Sequence, residues 1–386
     1  MTVERPSVER RVLKAIKADP KRVPFVLGSG GSGRTSLLLH LRQTIGAERC
    51  QYIDVEQAAT TPEGFLRALT INSPFRRPGQ PSPSENGLSA RDAFQASLAF
   101  LDSAQTNSGN SALFLLDEVL ELRTFDSFPG LRTVLPELLR TLQGSRNRFV
   151  MSTRYVSRAH RLLRNASPEY EVIHVPPLSS AEIADKLSPE YAPQDAHALT
   201  ELAQAVQVLT DGRPGYVQIL DDAMRGMAGR VGDDPVAALT AQMSRGAPLW
   251  ERCRFYFELR LHRARGYGAL KAILLVLADQ EPLTLTEIAQ RLQRTPGSTK
   301  DYLSWLEDVD LISARQKRYG FVDPLLRLWV QIHCRSEPFD EEQLARQVQQ
   351  FAHEVLPEVE PVPDVEPALA TSDNGADRTW SVVEID

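Results

Sequence analysis

Phe25-Val-Leu-Gly-Ser-Gly-Gly-Ser-Gly-Arg-Thr35 decides how the rest of the chain is read. Three apolar residues run into a glycine-rich turn, and from Thr35 to Ile45 the apolar positions Leu37, Leu38 and Leu41 resume at helical spacing. That pattern predicts strand, loop, helix. The turn fits the phosphate-binding pattern G-x4-G-K-S/T at every defined position but one, where Arg34 stands in place of lysine. Such a loop points the backbone N–H groups of Gly28, Ser29, Gly30, Gly31, Ser32 and Gly33 inward. The positive end of the helix at Arg34, Thr35 and Ser36 adds to their hold on phosphate. Glycine is needed because the loop bends through positive φ and passes close to its ligand. Thr35 offers a hydroxyl to magnesium.

A second stretch agrees with the first. Leu113-Phe-Leu-Leu-Asp117-Glu118 is four apolar residues followed by two acids, the Walker B form. A buried strand there delivers Asp117 to the magnesium shell and places Glu118 to polarise a water. ATP and Mg2+ are therefore the expected ligands. Arg148 to Met151 reads as another strand, ending in Ser152-Thr153-Arg154, and Tyr52 to Val55 as a parallel neighbour of the first strand. The predicted fold class is α/β, a P-loop NTPase with a parallel sheet whose polar strand ends build a site at one edge.

At 386 residues the chain is two to three times a domain of roughly 150, so several units are expected. Its longest apolar runs, such as Ala272 to Ala278, fall far short of the roughly 20 residues of a membrane span, and no apolar stretch follows the charged N-terminus. A cytoplasmic protein without a membrane partner is expected. Cys50, Cys253 and Cys334 are too few and too scattered for a disulfide framework or a zinc site. The net charge of −6 sits in the tail: from Val355 to Asp386 there are eight acids and one base, which leaves the body near +1. The tail's four prolines, Pro357, Pro361, Pro363 and Pro367, follow no apolar period, so it should be disordered, though its end, Trp380 to Ile385, suits docking on a protein partner or on this protein's own body. Residues 72–89, ten of eighteen of them Pro, Gly or Ser, predict a mobile loop carrying Arg76 and Arg77.

Beyond Ser179, whose Ser-x-x-Glu182 spacing fits a capping box, the pattern is helical. Leu283 to Leu292 reads as a helix, Arg294 to Ser298 as a turn, Thr299 to Leu311 as a second helix and Ile312 to Val322 as a hairpin, which is a winged helix. DNA is a candidate partner through Lys300 on the second helix and Arg315, Lys317 and Arg318 on the hairpin. The acids Asp301, Glu307, Asp308 and Asp310 work against close approach to phosphate. The helix Glu251 to Arg265 carries five arginines and reads either as a DNA contact or as an amphipathic connector.

With these motifs in place the chain resembles the AAA+ ATPases, in the branch of STAND and archaeal ATPases related to origin-recognition and transposition ATPases. The resemblance covers most of residues 1 to 335, and the expected division is a P-loop core over 1–178, a helical lid over 179–229, a linker over 230–248, a winged helix over 249–335 and, from its composition, an acidic, largely disordered tail over 336–386. It makes Thr153 a sensor of the γ-phosphate, and it sets Arg213 and Pro214, in Gly212-Arg-Pro-Gly215, against the nucleotide from the lid. It also implies a homo-oligomer in which Arg154 or Arg158 reaches a neighbour's γ-phosphate. Arg34 departs from the pattern. Its guanidinium is a wide planar fork where the family has a compact ammonium, so binding can survive while hydrolysis suffers. Losing about 4 kcal/mol of transition-state stabilisation slows turnover roughly a thousandfold. Two readings follow: a nucleotide-controlled switch for self-association, DNA or partner engagement, and a non-hydrolysing, ATP-stabilised DNA- or protein-binding module.

Overall fold

The computed structural model describes residues 5–76, 88–164, 169–187, 189, 193, 195–227, 234–262, 266–335 and 339–356. Helix α1 (Pro6–Ile16) lays Val8 and Val12 against the sheet, whose first strand is β1 (Val23–Leu27). All five residues of β1 are buried, as suits a continuous apolar run covered on both faces. The core continues through α2 (Arg34–Ile45), β2 (Cys50–Asp54), α3 (Val55–Ala58), α4 (Pro62–Thr70), α5 (Ala90–Ser103) and β3 (Leu113–Asp117). A 3-10 stretch, Val119–Ser127, leads to α6 (Val134–Gly144), β4 (Arg148–Thr153), α7 (Val156–Leu163) and β5 (Tyr170–His174).

The strands form one sheet in the order β2-β3-β4-β1-β5, with every neighbour parallel. The expectation that β2 would pair with β1 is wrong, because β4 and β3 lie between them. Burial gives the reason: β3 is wholly buried and needs neighbours on both edges, whereas β2 leaves Tyr52 and Asp54 half-exposed and suits an edge. The register aligns Leu27 with Thr153 and Asp54 with Asp117, so the functional strand ends share one edge. Phe25, Phe114, Phe149 and Met151 fill one face of the sheet, under residues of α4 to α6, while Val26, Leu115 and Val150 meet Leu37, Leu38 and Leu41 of α2 on the other.

Past the sheet, Ser179 and Glu182 make the expected capping box at the start of α8 (Ser180–Ala184), followed by α9 (Ala196–Thr210) and α10 (Pro214–Gly226). The stretch assigned to a linker contains α11 (Pro235–Met243), capped by Asp234 and burying Ala238, Leu239 and Met243. Then come α12 (Pro248–His262), α13 (Tyr267–Asp279), β6 (Leu283–Thr284), α14 (Leu285–Arg291), α15 (Pro296–Asp308), β7 (Ile312–Arg315), β8 (Arg318–Phe321) and α16 (Pro324–His333). The three short strands form an antiparallel sheet, β6-β8-β7.

The last described element corrects the tail that was expected from residue 336. Helix α17 (Glu341–Val355) has an Asp340/Gln343 capping box and buries Leu344, Val348, Phe351 and Ala352. Those residues join one apolar core that runs from Leu178 through α9, α10, α12, α13 and α16. Arg76, expected in a mobile loop, is instead hydrogen-bonded in both directions to Gln105. Arg77 and the rest of that loop to 87 lie outside the described residues, as do 357–386.

Candidate functional site

The loop between β1 and α2 bends through Gly31 (φ +79°) and Gly33 (φ +92°), a region that side-chain-bearing residues rarely enter. A Cβ on Gly28 would lie 2.5 Å from Ser32 Oγ, which is buried and has no hydrogen-bond partner. The loop is thus a tight cradle with one unsatisfied buried hydroxyl, which suits an anion site. Thr35 Oγ1 donates to Asp117 Oδ2 at 2.7 Å. Tyr52 donates to the same oxygen at 2.9 Å, and Ser152 donates to Oδ1. Burial, with Asp117 adding to it, pushes the Tyr52 phenol well above its ordinary range. Thr35 and Asp117 are hard oxygen donors brought together beside the cradle, which fits magnesium held jointly with phosphate oxygens. Among the described residues no group of three His, Cys, Asp or Glu side chains could hold a metal unaided.

Glu118 follows Asp117 with a left-handed backbone, φ +54°. Few residues other than glycine adopt it, and such strain gathers at functional sites. Its carboxylate is tightly engaged. Arg34 Nη2 donates to Oε1 at 2.6 Å, while the Arg154 backbone N–H donates to Oε2 at 2.9 Å and Arg154 Nε lies 3.3 Å from it. Thr153 Oγ1 donates to Oε2 at 3.4 Å. The other arm of Arg34 donates to the Gly28 carbonyl. Arg34 therefore faces the Walker B acid from behind the loop. Burial lowers its affinity for a proton, and Glu118 acts in the opposite direction.

Three expected roles look different once placed. Arg213 does not turn toward the loop: Nη1 donates to Asp323 Oδ2 at 2.8 Å and Nη2 to the Val322 carbonyl at 2.7 Å. A buried carboxylate, also bonded by Tyr216, holds it toward the C-terminal unit. Arg154 is buried and pairs with Glu118 and Glu56 of its own chain, so it is not presented to a neighbour. Burial opposes its charge, yet the nearby acids, Glu118 foremost, hold it above the usual arginine range. Arg158 stacks over Tyr155 at 4.8 Å and lines a cavity with Trp305, Asp308 and Val309, facing its own C-terminal unit.

Pro214 does reach the loop, lying 3.9 Å from where a Cβ on Gly33 would stand, and the Gly215 N–H donates to the Gly31 carbonyl at 3.4 Å. Helix α12 closes the same cavity, of about 610 Å³, with Arg252 and Tyr256 beside Gly31, Gly33, Thr35 and Ser36. The sequence signal for these two was present in the arginine-rich, aromatic-interleaved helix. Its direction was not, since only the fold turns it toward the loop. Ser29 faces a separate cleft with Arg154, Asp310 and Arg315. Lys300, Arg315, Lys317 and Arg318 are all exposed, but Arg318 already pairs with Glu287 at 3.6 Å. The C-terminal end of α15 is docked on α7 through Asp308 and Arg161.

No family model matches the chain, and no curated protein matches it in sequence. Among solved structures it is similar to a Walker-type ATPase of Pyrococcus abyssi, at 17% identity over 86% of this chain and 96% of that one, with a TM-score of 0.60. Looser likenesses are to Cdc6p of Pyrobaculum aerophilum (15% identity, 92% of this chain and 96% of that one, TM-score 0.41) and to the RuvB Holliday junction branch migration motor of Thermotoga maritima (13%, 83% and 92%, 0.42). The fold is that of the Walker-type P-loop ATPases. No helix among the described residues is long and apolar enough to cross a membrane.

Proposed function

We propose that the protein is an ATP-binding switch of the AAA+/STAND type, in which the nucleotide at Gly28 to Ser36 sets the contact between the sheet core and the C-terminal unit. The observation that carries this reading is the meeting of Thr35 and Asp117 at 2.7 Å beside a loop that the lid touches through Gly215. Whatever occupies the loop is felt directly by α10 and α12. Magnesium held by Thr35 and Asp117 would neutralise phosphate charge when bound. Glu118 is held by donors on both oxygens, so release by Arg34 or Arg154 would free it to polarise a water, and turnover with both in place would be slow. Thr153 holds Glu118 in place and stands ready for the γ-phosphate. Self-association would follow ATP binding, with Arg154 or Arg158 first leaving its present partners. Residues 249–335 read as a winged helix that offers Lys300, Arg315 and Lys317 to DNA, and the segment after 356 as a site for a protein partner.

The second reading, a non-hydrolysing module stabilised by ATP, draws its support from the same paired arginines on Glu118. Calorimetry with Mg-ATP and steady-state phosphate release, using Asp117→Ala and Glu118→Gln as controls, separate the two. Binding that is lost in Asp117→Ala, with turnover abolished by Glu118→Gln, supports the switch. Binding with no turnover above the Glu118→Gln baseline supports the module, and no binding at all removes both.

A further inference from the structure

We propose that Arg252 of α12, and not the Walker A residue Arg34, supplies the side-chain positive charge to the phosphates of the bound nucleotide. The inference rests on the nucleotide reading of the loop and adds a residue to it that neither motif nor resemblance assigns. Arg34 and Arg252 are the two charged residues lining the cavity beside the loop, and no acid lines it. Arg34 is spent. Its guanidinium is divided between Glu118 Oε1 and the Gly28 carbonyl, and it is almost wholly buried behind the loop. A charge already matched by a carboxylate at 2.6 Å offers little further attraction to an incoming anion.

Arg252 is in the opposite condition. It is half-buried, and among the described residues no carboxylate pairs with it. A guanidinium without a counter-ion beside the cradle is free to take an anion, and its planar fork suits phosphate oxygens. Its guanidinium lies over Gly215, where a Cβ would collide with its terminal nitrogen. Gly215 is itself tied to the loop through its N–H. One turn further along α12, Tyr256 comes within 3.3 Å of a Cβ position on Gly30 and 3.6 Å of one on Gly31, so this face of the helix lies over the phosphate cradle. The next arginine, Arg254, pairs instead with Glu251 at 3.7 Å and is exposed, which makes it an internal control.

Calorimetric titration of the full chain with Mg-ATP, and separately with inorganic tripolyphosphate, tests the assignment. Arg252→Gln should weaken Mg-ATP at least tenfold, Arg252→Lys should regain most of that loss, and Arg254→Gln should match the wild type, all with unchanged melting temperatures. Arg252→Met keeps the apolar stem without the charge, so it should weaken Mg-ATP as well. It serves as the second variant if Arg252→Gln does not fold. Wild-type affinity in Arg252→Gln or in Arg252→Met overturns the proposal while leaving nucleotide binding intact. Tripolyphosphate that binds through Arg252 where Mg-ATP does not would overturn the nucleotide reading alone. A wild-type chain that binds neither overturns both.

Discussion

At Arg34 one side chain divides the two arms of its planar fork between two acceptors. The guanidinium bridges the Gly28 carbonyl and Glu118, whereas an ammonium is a single point of charge on a shorter stem. Arg34→Lys should therefore loosen Glu118 and raise the rate of phosphate release severalfold over the wild type. A fall in rate would mean that the site works only with the bridge in place. Arg34→Ala, which leaves a buried carboxylate short of its partner, should lose about 3 kcal/mol of stability in urea titrations. Asp310 poses a related problem where the core meets α15. Burial raises its carboxyl above the ordinary value of 3.8, although the Ser157 N–H and Arg260 pull it back. An acid raised by folding adds its full stability below the unfolded value, and that contribution is lost as pH rises through the folded value. Asp310→Asn keeps an acceptor and tolerates the left-handed φ of +52°. Its melting temperature should exceed the wild type's at pH 7, with the difference shrinking toward pH 4.

Among the elements, α16 shows how one acid can seat a helix and a neighbour at once. Asp323 Oδ1 accepts the N–H groups of Leu325 and Leu326 at 3.1 Å each, which caps α16, and Oδ2 takes Arg213 and Tyr216 from the start of α10. Helices α10 and α16 are thereby joined through a buried ion pair. Removing one partner of such a pair leaves the other uncompensated, at a cost of about 3 to 5 kcal/mol, and loss of a cap adds about 1. Asp323→Ala should lower stability by about 4 kcal/mol in denaturant titrations. Asp323→Asn, which retains the cap, should lose less. Equal losses would show that the cap contributes nothing, and no loss in Asp323→Asn would show that the charge on Arg213 needs no partner at that position.

Across the whole molecule, the contiguous motifs were legible and the long-range meetings were not. Gly28 to Thr35 and Leu113 to Glu118 carry their chemistry in neighbouring residues, so pattern alone located them. The insertion of β4 beside β1, the turn of Arg213 toward Asp323 and the approach of Tyr256 to Gly30 depend on segments far apart in sequence, for which no local period exists. Helix α17 is a different case. Leu344, Val348, Phe351 and Ala352 stand at helical spacing behind Asp340, a readable signal that the acidic composition of the C-terminal region overshadowed. The two readings of that region predict different truncations. A chain ending at Leu356 retains α17 against α11 and α16, and loses only a segment whose prolines and acids follow no apolar period. It should melt within a degree or two of the full chain. A chain ending at Phe339 exposes the underside of α17's site and forfeits three large buried side chains, each worth about 1.5 to 3 kcal/mol. That is a large fraction of the 5 to 15 kcal/mol that holds a typical domain folded. It should melt many degrees lower or fail to fold, and a Phe339 truncation as stable as the full chain would return α17 to the tail.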